Sequence, residues 1–177
     1  MMKYVLLLRG INVGGNKIVP MADLKKMLEK SGYRNVKTLL ASGNVLLEAE
    51  EKKAEQLAEA IGKKFEKTFG FDSHMIVRTT KQIEELVQSE PFKAISVTPD
   101  TRLYVTFLSG KPGSTLTIPY TSPDGGFRIL RVFEHEVCSV LTLSPKANTV
   151  KAMDILEKEF GKNITTRNWN TVMKLIA

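Results

Sequence analysis

Lys3-Tyr4-Val5-Leu6-Leu7-Leu8-Arg9-Gly10-Ile11-Asn12-Val13-Gly14-Gly15-Asn16-Lys17 is the stretch that decides how this chain folds. Tyr4 to Leu8 are apolar at successive rather than alternate positions, so the spacing predicts a strand over 3–9 that is covered on both faces. The run stops at Arg9, and glycines and asparagines follow up to Lys17. These residues adopt the left-handed backbone at low cost, which predicts a sharp turn directly out of a buried strand.

Working outward, Pro20 suits the first turn of a helix, and Met21, Leu24, Met27 and Leu28 recur at helical spacing until Gly32 stops them. Short strands follow over 36–40 and 45–48, around Ser42-Gly43-Asn44, which is hairpin chemistry. Leu57, Ala58, Ile61, Phe65 and Phe69 line one stripe of a long amphipathic helix. A strand over 74–78 and a short helix carrying Ile83, Leu86 and Val87 complete the half. The order βαββαβ is that of a ferredoxin-like unit.

The second half repeats much of this order. A strand over 103–108 precedes residues 109–126, which are rich in Gly, Pro, Ser and Thr and show no period, so they predict a long loop. Strands over 127–133 and 137–143 turn at Glu134-His135-Glu136. A helix carries Val150, Met153, Leu156 and Phe160 and ends at Gly161, before a brief extended stretch and a last helix with Trp169, Val172, Met173 and Ile176. Two local echoes support a duplication: Glu66-Lys67-Thr68-Phe69-Gly70 against Glu157-Lys158-Glu159-Phe160-Gly161, and Thr79-Thr80-Lys81-Gln82 against Thr165-Thr166-Arg167-Asn168. The expected architecture is an α+β protein of two linked ferredoxin-like units, residues 1–95 and 96–177, packed as one compact protein. In the second unit the 109–126 loop replaces the first helix.

Bulk composition narrows the function classes. At 42% hydrophobic and 25% charged, the chain is an ordinary globular one. No apolar run is long enough to span a bilayer, and the N-terminus lacks the segments of a secretory signal. The lone cysteine, Cys138, excludes an internal disulfide framework and suits a reducing compartment, so the cytoplasm is expected. The net charge of +7, from 26 Lys+Arg against 19 Asp+Glu, favours anionic partners. Many of the lysines alternate with glutamates on helix faces, however, which is equally the pattern of a solvated surface.

Three polar segments stand out as candidate ligand-binding sites. In the first, the glycines Gly14 and Gly15 would bring bare backbone amides to a ligand, and Arg9, Lys17, Asn12 and Asn16 would add charge and donors suited to phosphate or carboxylate. The spacing is neither the dinucleotide fingerprint nor the P-loop. The plainer explanation is a tight crossover with asparagines capping local turns. Ser42 and Asn44 form the second segment, with a hairpin turn as the simpler explanation. The third is Thr166-Arg167-Asn168-Trp169-Asn170, where a cation beside the only tryptophan suits an anion next to a flat ring. A helix cap and a core anchor explain Thr166 and Trp169 without any ligand.

None of the three segments contains a carboxylate, histidine or cysteine, so a site made from them holds an anion but has no evident base or nucleophile. Catalytic residues are therefore not assigned. His74 and His135 have no partners at ligand spacing, which argues against a metal site, and no cofactor is implied. Glu134 and His135 are the acid–base groups available to an enzyme acting on a phosphorylated small molecule. A third alternative makes the polar motifs an internal scaffold, with function at a protein–protein interface.

Leu7 to Asn16 with Pro20-Met21, Ala41-Ser42-Gly43-Asn44-Val45, and Thr165 to Val172 with Lys174-Leu175 together resemble a widespread bacterial family known as domain of unknown function 1697. The resemblance runs in order along essentially the whole chain. It implies a compact α+β protein with duplicated ferredoxin-like halves, and no established activity, substrate or cofactor. Its motif residues fall here on Arg9, Gly10, Asn12, Gly14, Gly15, Asn16, Ser42, Gly43, Asn44, Thr166, Arg167, Asn168, Trp169 and Asn170. The 109–126 stretch departs from it, because members often look more helical there. The expected function is binding of a nucleotide, nucleic acid or phosphorylated metabolite where the three segments converge.

Overall fold

A central strand forms where the apolar run predicts it. The computed structural model describes every residue from Met1 to Ala177. The chain divides into two units, Met1–Glu84 with Leu175–Ala177, and Glu85–Lys174. In the first, β1 (Met2–Leu8), α1 (Met21–Lys30), β2 (Arg34–Leu39), β3 (Asn44–Ala49), α2 (Ala54–Phe69) and β4 (Met75–Thr79) follow in order, and α3 (Thr80–Gln88) then begins. The strands form one antiparallel sheet in the order β2-β3-β1-β4. β1 is therefore paired on both edges, and Tyr4 to Leu8 are all buried. Tyr4, Leu6 and Leu8 join a core with Leu24 and Leu28 of α1 and Leu57, Ile61 and Phe65 of α2. Val5 and Leu7, on the opposite face, are equally inaccessible.

The second unit holds β5 (Thr101–Leu108), β6 (Tyr120–Thr121), β7 (Phe127–Val132), β8 (Glu136–Thr142), α4 (Thr149–Phe160), β9 (Ile164–Asn168) and α5 (Trp169–Lys174). Its antiparallel sheet runs β6-β7-β8-β5-β9. The fold is thus a mixed α+β one with two antiparallel sheets and five helices. Residues 109–126 are not wholly irregular. Tyr120 and Thr121 pair with Ile129 and Arg128, and Leu116 and Ile118 pack on the second core. This segment covers its core with two branched side chains, as α1 covers the first with Leu24, Met27 and Leu28. No helical period was there to be found, because two apolar contacts on an extended backbone need none.

The strand registers match residues of the two units pairwise. Tyr4 lies opposite Thr79 and Val5 opposite Arg78, while Tyr104 lies opposite Asn168 and Val105 opposite Arg167. Arg78 and Arg167 therefore correspond, which shifts the Thr79–Thr165 echo in the sequence by three residues. Gly70 and Gly161 both end their helices with positive φ (81° and 86°) and donate N–H to Glu66 O and Glu157 O. The tyrosines occupy the same place too. Tyr4 Oη sits 3.0 Å from both the carbonyl and the amide nitrogen of Lys52, just before α2, and Tyr104 Oη sits 3.2 Å from Thr149 Oγ1 at the start of α4. Each hydroxyl ties its strand to the entry of a later helix, α2 for Tyr4 and α4 for Tyr104.

One buried hydroxyl has no such role. Ser139 Oγ, in β8 beside Tyr104, is buried with no hydrogen-bond partner. An unmet buried polar group costs about 1–3 kcal/mol, whereas a satisfied hydroxyl contributes about 1 kcal/mol. Urea denaturation should therefore separate two hydroxyl deletions by sign: Tyr4→Phe loses about 1 kcal/mol, and Ser139→Ala gains up to about 1 kcal/mol. A loss of equal size for both would contradict the hydrogen-bond assignment.

Candidate functional site

The first two polar segments meet within the first unit, where Asn12 bonds to Val19 and Ala41 and Asn44 bonds to Leu39 and Ser42. After β1 the backbone turns left-handed at Gly10 and Asn12 (φ 73° and 55°). Asn12 Nδ2 donates to Val19 O (3.0 Å) and Ala41 O (2.8 Å), and Asn12 Oδ1 accepts from Val19 N–H (2.7 Å). One side chain thus joins the start of the connection to its end and to the β2–β3 turn. Asn44 is fully buried and donates through Nδ2 to Leu39 O (2.9 Å) and Ser42 Oγ (3.0 Å). Between these residues Gly43 has φ +90°, and a Cβ there would lie 2.8 Å from Leu8 Cβ. Its carbonyl accepts from Leu8 N–H at 2.9 Å.

Val13-Gly14-Gly15-Asn16 is a tight hairpin tip. Asn16 N–H donates to Val13 O (3.1 Å), and Gly14 and Gly15 both have positive φ (60° and 74°), which is a type I′ turn. Two consecutive left-handed residues explain both glycines without a ligand. Asn16 and Lys17 are exposed, with Lys17 Nζ 5.8 Å above the Phe71 ring. Arg9 is half-buried, and its backbone pairs with His74 O and Ser73 Oγ.

The third segment lies in the second unit and splits by side. Thr165 and Arg167 share a face of β9 and are buried. Arg167 donates through Nη1 to Thr165 Oγ1 (2.6 Å) and Thr166 O (3.1 Å), and burial lowers its pKa to about 10, so it stays charged near neutrality. Thr166 Oγ1 lies 2.8 Å from Thr106 Oγ1. Neither Thr166 nor Arg167 lines the cleft that their neighbours border.

Asn168, Trp169 and Asn170 do. They border a cleft of about 930 Å³, together with Phe92 and Lys93 from the segment after α3, Arg102 and Leu103 of β5, and Met173 and Lys174 of α5. The half-buried indole meets the Phe92 ring edge-on, centroids 5.1 Å apart. Arg102 Nη1 donates to Pro99 O (2.8 Å) and Thr101 O (3.0 Å), which fixes the guanidinium at the rim. Glu90, the one carboxylate lining the cleft, lies 3.4 Å from Lys93 Nζ. Three cations, two amides and an aromatic pair thus surround one space. Phe92, Lys93 and Arg102 carried no motif in the sequence; an isolated Phe after Pro91, just past a helix end, was the only available hint.

The remaining candidates are not assembled for chemistry. Burial, then Glu136, pushes the Cys138 thiol up to about 12, so it stays protonated and inert toward thiol reagents at pH 8. Glu134 and His135 sit 3.9 Å apart on an exposed hairpin tip. No group of three or more His, Cys, Asp or Glu is placed to hold a metal, and no helix is long and apolar enough to cross a membrane.

The model of the family described as "Protein of unknown function (DUF1697)" matches residues 1–137, and the chain belongs to that family. The match stops short of the third segment, so the resemblance in Thr165 to Leu175 is not part of it. No curated protein matches the sequence. Among solved structures, the chain is similar to the conserved bacterial protein SP0830 from Streptococcus pneumoniae, with TM-score 0.73 and 22% identity over 98% of this chain and 96% of that one. That likeness is one of fold. An unknown protein from Galdieria sulphuraria, with 14% identity over 94% and 96% of the two chains, aligns at TM-score 0.28, too low to inform the fold.

Asn12 and Asn16 should separate cleanly in thermal unfolding. Asn12→Ala removes three hydrogen bonds and places a Cβ-bearing residue less tolerant of positive φ in the turn, so it should lower Tm by about 4 °C or more. Asn16→Ala, at an exposed position, should leave Tm within about 2 °C. Equal effects would mean that Asn12 is not the tie.

Proposed function

We propose that the protein binds a small anionic ligand with a flat ring, of the nucleotide class, in the cleft beside Trp169. The observation that carries this is the convergence of Lys93, Arg102 and Lys174 on a space walled by Trp169 and Phe92. Ligand clefts combine an apolar wall with a few placed polar groups, and their volumes reach roughly 1,000 Å³. The indole face receives the ring, Asn168 and Asn170 supply amide donors and acceptors at its edge, and the cations take the charge. The cleft is lined by a single carboxylate, Glu90, and by no histidine or cysteine, so binding is favoured over catalysis.

Of the residues marked by the sequence, Asn168, Trp169 and Asn170 are assigned to the ligand. Asn12, Ser42 and Asn44 are assigned to a scaffold that locks the exit from β1, a role supported by their bonds to backbone and to each other. Gly14 and Gly15 serve the hairpin turn. Arg9, Asn16 and Lys17 have no assigned ligand, and Thr166 and Arg167 serve β9. We further propose that the two units are ferredoxin-like copies of one ancestor. The sheet orders, the paired Tyr4–Tyr104 and Arg78–Arg167 positions and the two capping glycines support this. The reduced, buried Cys138 suits a cytoplasmic setting.

Trp169 is the sole tryptophan, so selectively excited tryptophan fluorescence reports on this cleft alone. Titration with nucleoside monophosphates should quench it saturably, whereas the uncharged nucleosides should bind at least tenfold more weakly. A thermal shift should accompany binding, because ligand at 100 times Kd stabilises by about 2.7 kcal/mol. Lys93→Ala and Lys174→Ala, both at exposed positions, should weaken the quench without changing the unfolding temperature of the free protein. No quench and no shift with nucleotides, phosphorylated sugars or inorganic phosphate would overturn the proposal.

A further inference from the structure

We infer that the occupant of the Trp169 cleft is a segment of single-stranded nucleic acid rather than a free nucleotide, an inference that rests on the ligand reading above. The cations and the apolar wall of the cleft exceed what one nucleotide needs. The cations come from three separate elements: Lys93 from the segment after α3, Arg102 from β5 and Lys174 from the end of α5. A single phosphate is met by one bidentate guanidinium or one ammonium, whereas a strand presents a charge at every residue along its length.

The apolar wall also continues past the indole. Val97 and Met173 are exposed large hydrophobic side chains, and both line the same cleft. Trp169 offers a ring face to one base, and these two extend the apolar surface to its neighbours. Proteins that hold single strands combine such a stacking platform with a basic groove. Asn168 and Asn170 flank the indole in sequence and line the cleft, where they can pair with base edges exposed only in an unpaired strand. The chain's net charge of +7 adds a long-range attraction for a polyanion. An acidic peptide shares the charge requirement, but the flat platform and paired amides match bases better than carboxylate side chains.

The test uses the full chain and labelled oligomers of deoxythymidine and uridine, of one to about fifteen nucleotides, followed by anisotropy and by Trp169 quenching. Affinity should rise at least tenfold from the mononucleotide to a length within the site size of about 4–16 nucleotides. The logarithm of affinity should fall with the logarithm of salt at a slope of about −2, as expected for three phosphates on a single strand. Trp169→Phe should weaken oligomer binding at least fivefold, and the Lys93→Ala/Lys174→Ala double variant should flatten the salt slope with its circular dichroism unchanged. If mononucleotides quench Trp169 as tightly as oligomers, the strand inference falls and the small-ligand reading stands. If neither binds, both fall. If polyglutamate competes as well as the oligomers, the cleft recognises negative charge alone and the strand inference is overturned.

Discussion

A strand that is paired along both edges and buried on both faces leaves almost no freedom to the chain that enters and leaves it. β1 is such a strand, with β3 and β4 on its edges and every side chain from Tyr4 to Leu8 inaccessible. Its amides and carbonyls are satisfied only if both neighbours hold their register, and its tyrosine hydroxyl fixes where α2 begins. The chain must then leave the sheet within a few residues of Leu8 without exposing the core. Asn12 makes that exit single-valued, by bonding both to Val19 at the end of the connection and to Ala41 in the neighbouring turn. Gly43 packs so tightly on Leu8 that no side chain fits. The polar residues around β1 are a consequence of that strand, and β5 repeats the constraint with Tyr104 tied to Thr149.

Most elements were legible because their period was undiluted. β1 is a continuous apolar run and α2 a clean helical stripe, and both form as the pattern demands. The 109–126 segment was read only as a loop because its contribution, two core contacts and a two-residue strand, leaves no periodic trace. The likeness proposed between the two units has its clearest sequence trace at Gly70 and Gly161, where a helix-ending glycine recurs four residues after a Glu. At the final strands the Thr-Thr echo and the hydrogen-bond register differ by three residues, because the register sets Arg78 opposite Val5 and Arg167 opposite Val105. Identity in sequence counts letters, whereas register counts hydrogen bonds.

The site was harder to see than the fold, for a related reason. Gly, Asn and Arg mark both ligand loops and strained turns, and the sequence does not distinguish the two uses. Positive φ at Gly14 and Gly15, with the Asn16–Val13 bond across them, identifies a hairpin tip. Trp169 was visible because tryptophan is scarce, yet its partners Phe92, Lys93 and Arg102 lie far from it in sequence and form no motif. Arg167, the cation nearest to it in sequence, points to the opposite role: alternation along β9 buries Arg167, while Asn168 reaches the cleft. A one-residue step along a strand changes the face, and with it the surroundings of the side chain.

Backbone and side-chain amide spectra of the ¹⁵N-labelled protein test the division between scaffold and site most directly, because one titration reports on all the segments together. Oligonucleotide binding in the cleft predicts shifts of the Trp169 indole N–H and of the Asn168 and Asn170 signals, while the side-chain amides of Asn12 and Asn44 stay fixed. Shifts centred on Gly14, Gly15 and Lys17, with the Trp169 indole unmoved, would contradict it and return the ligand to the turn after β1.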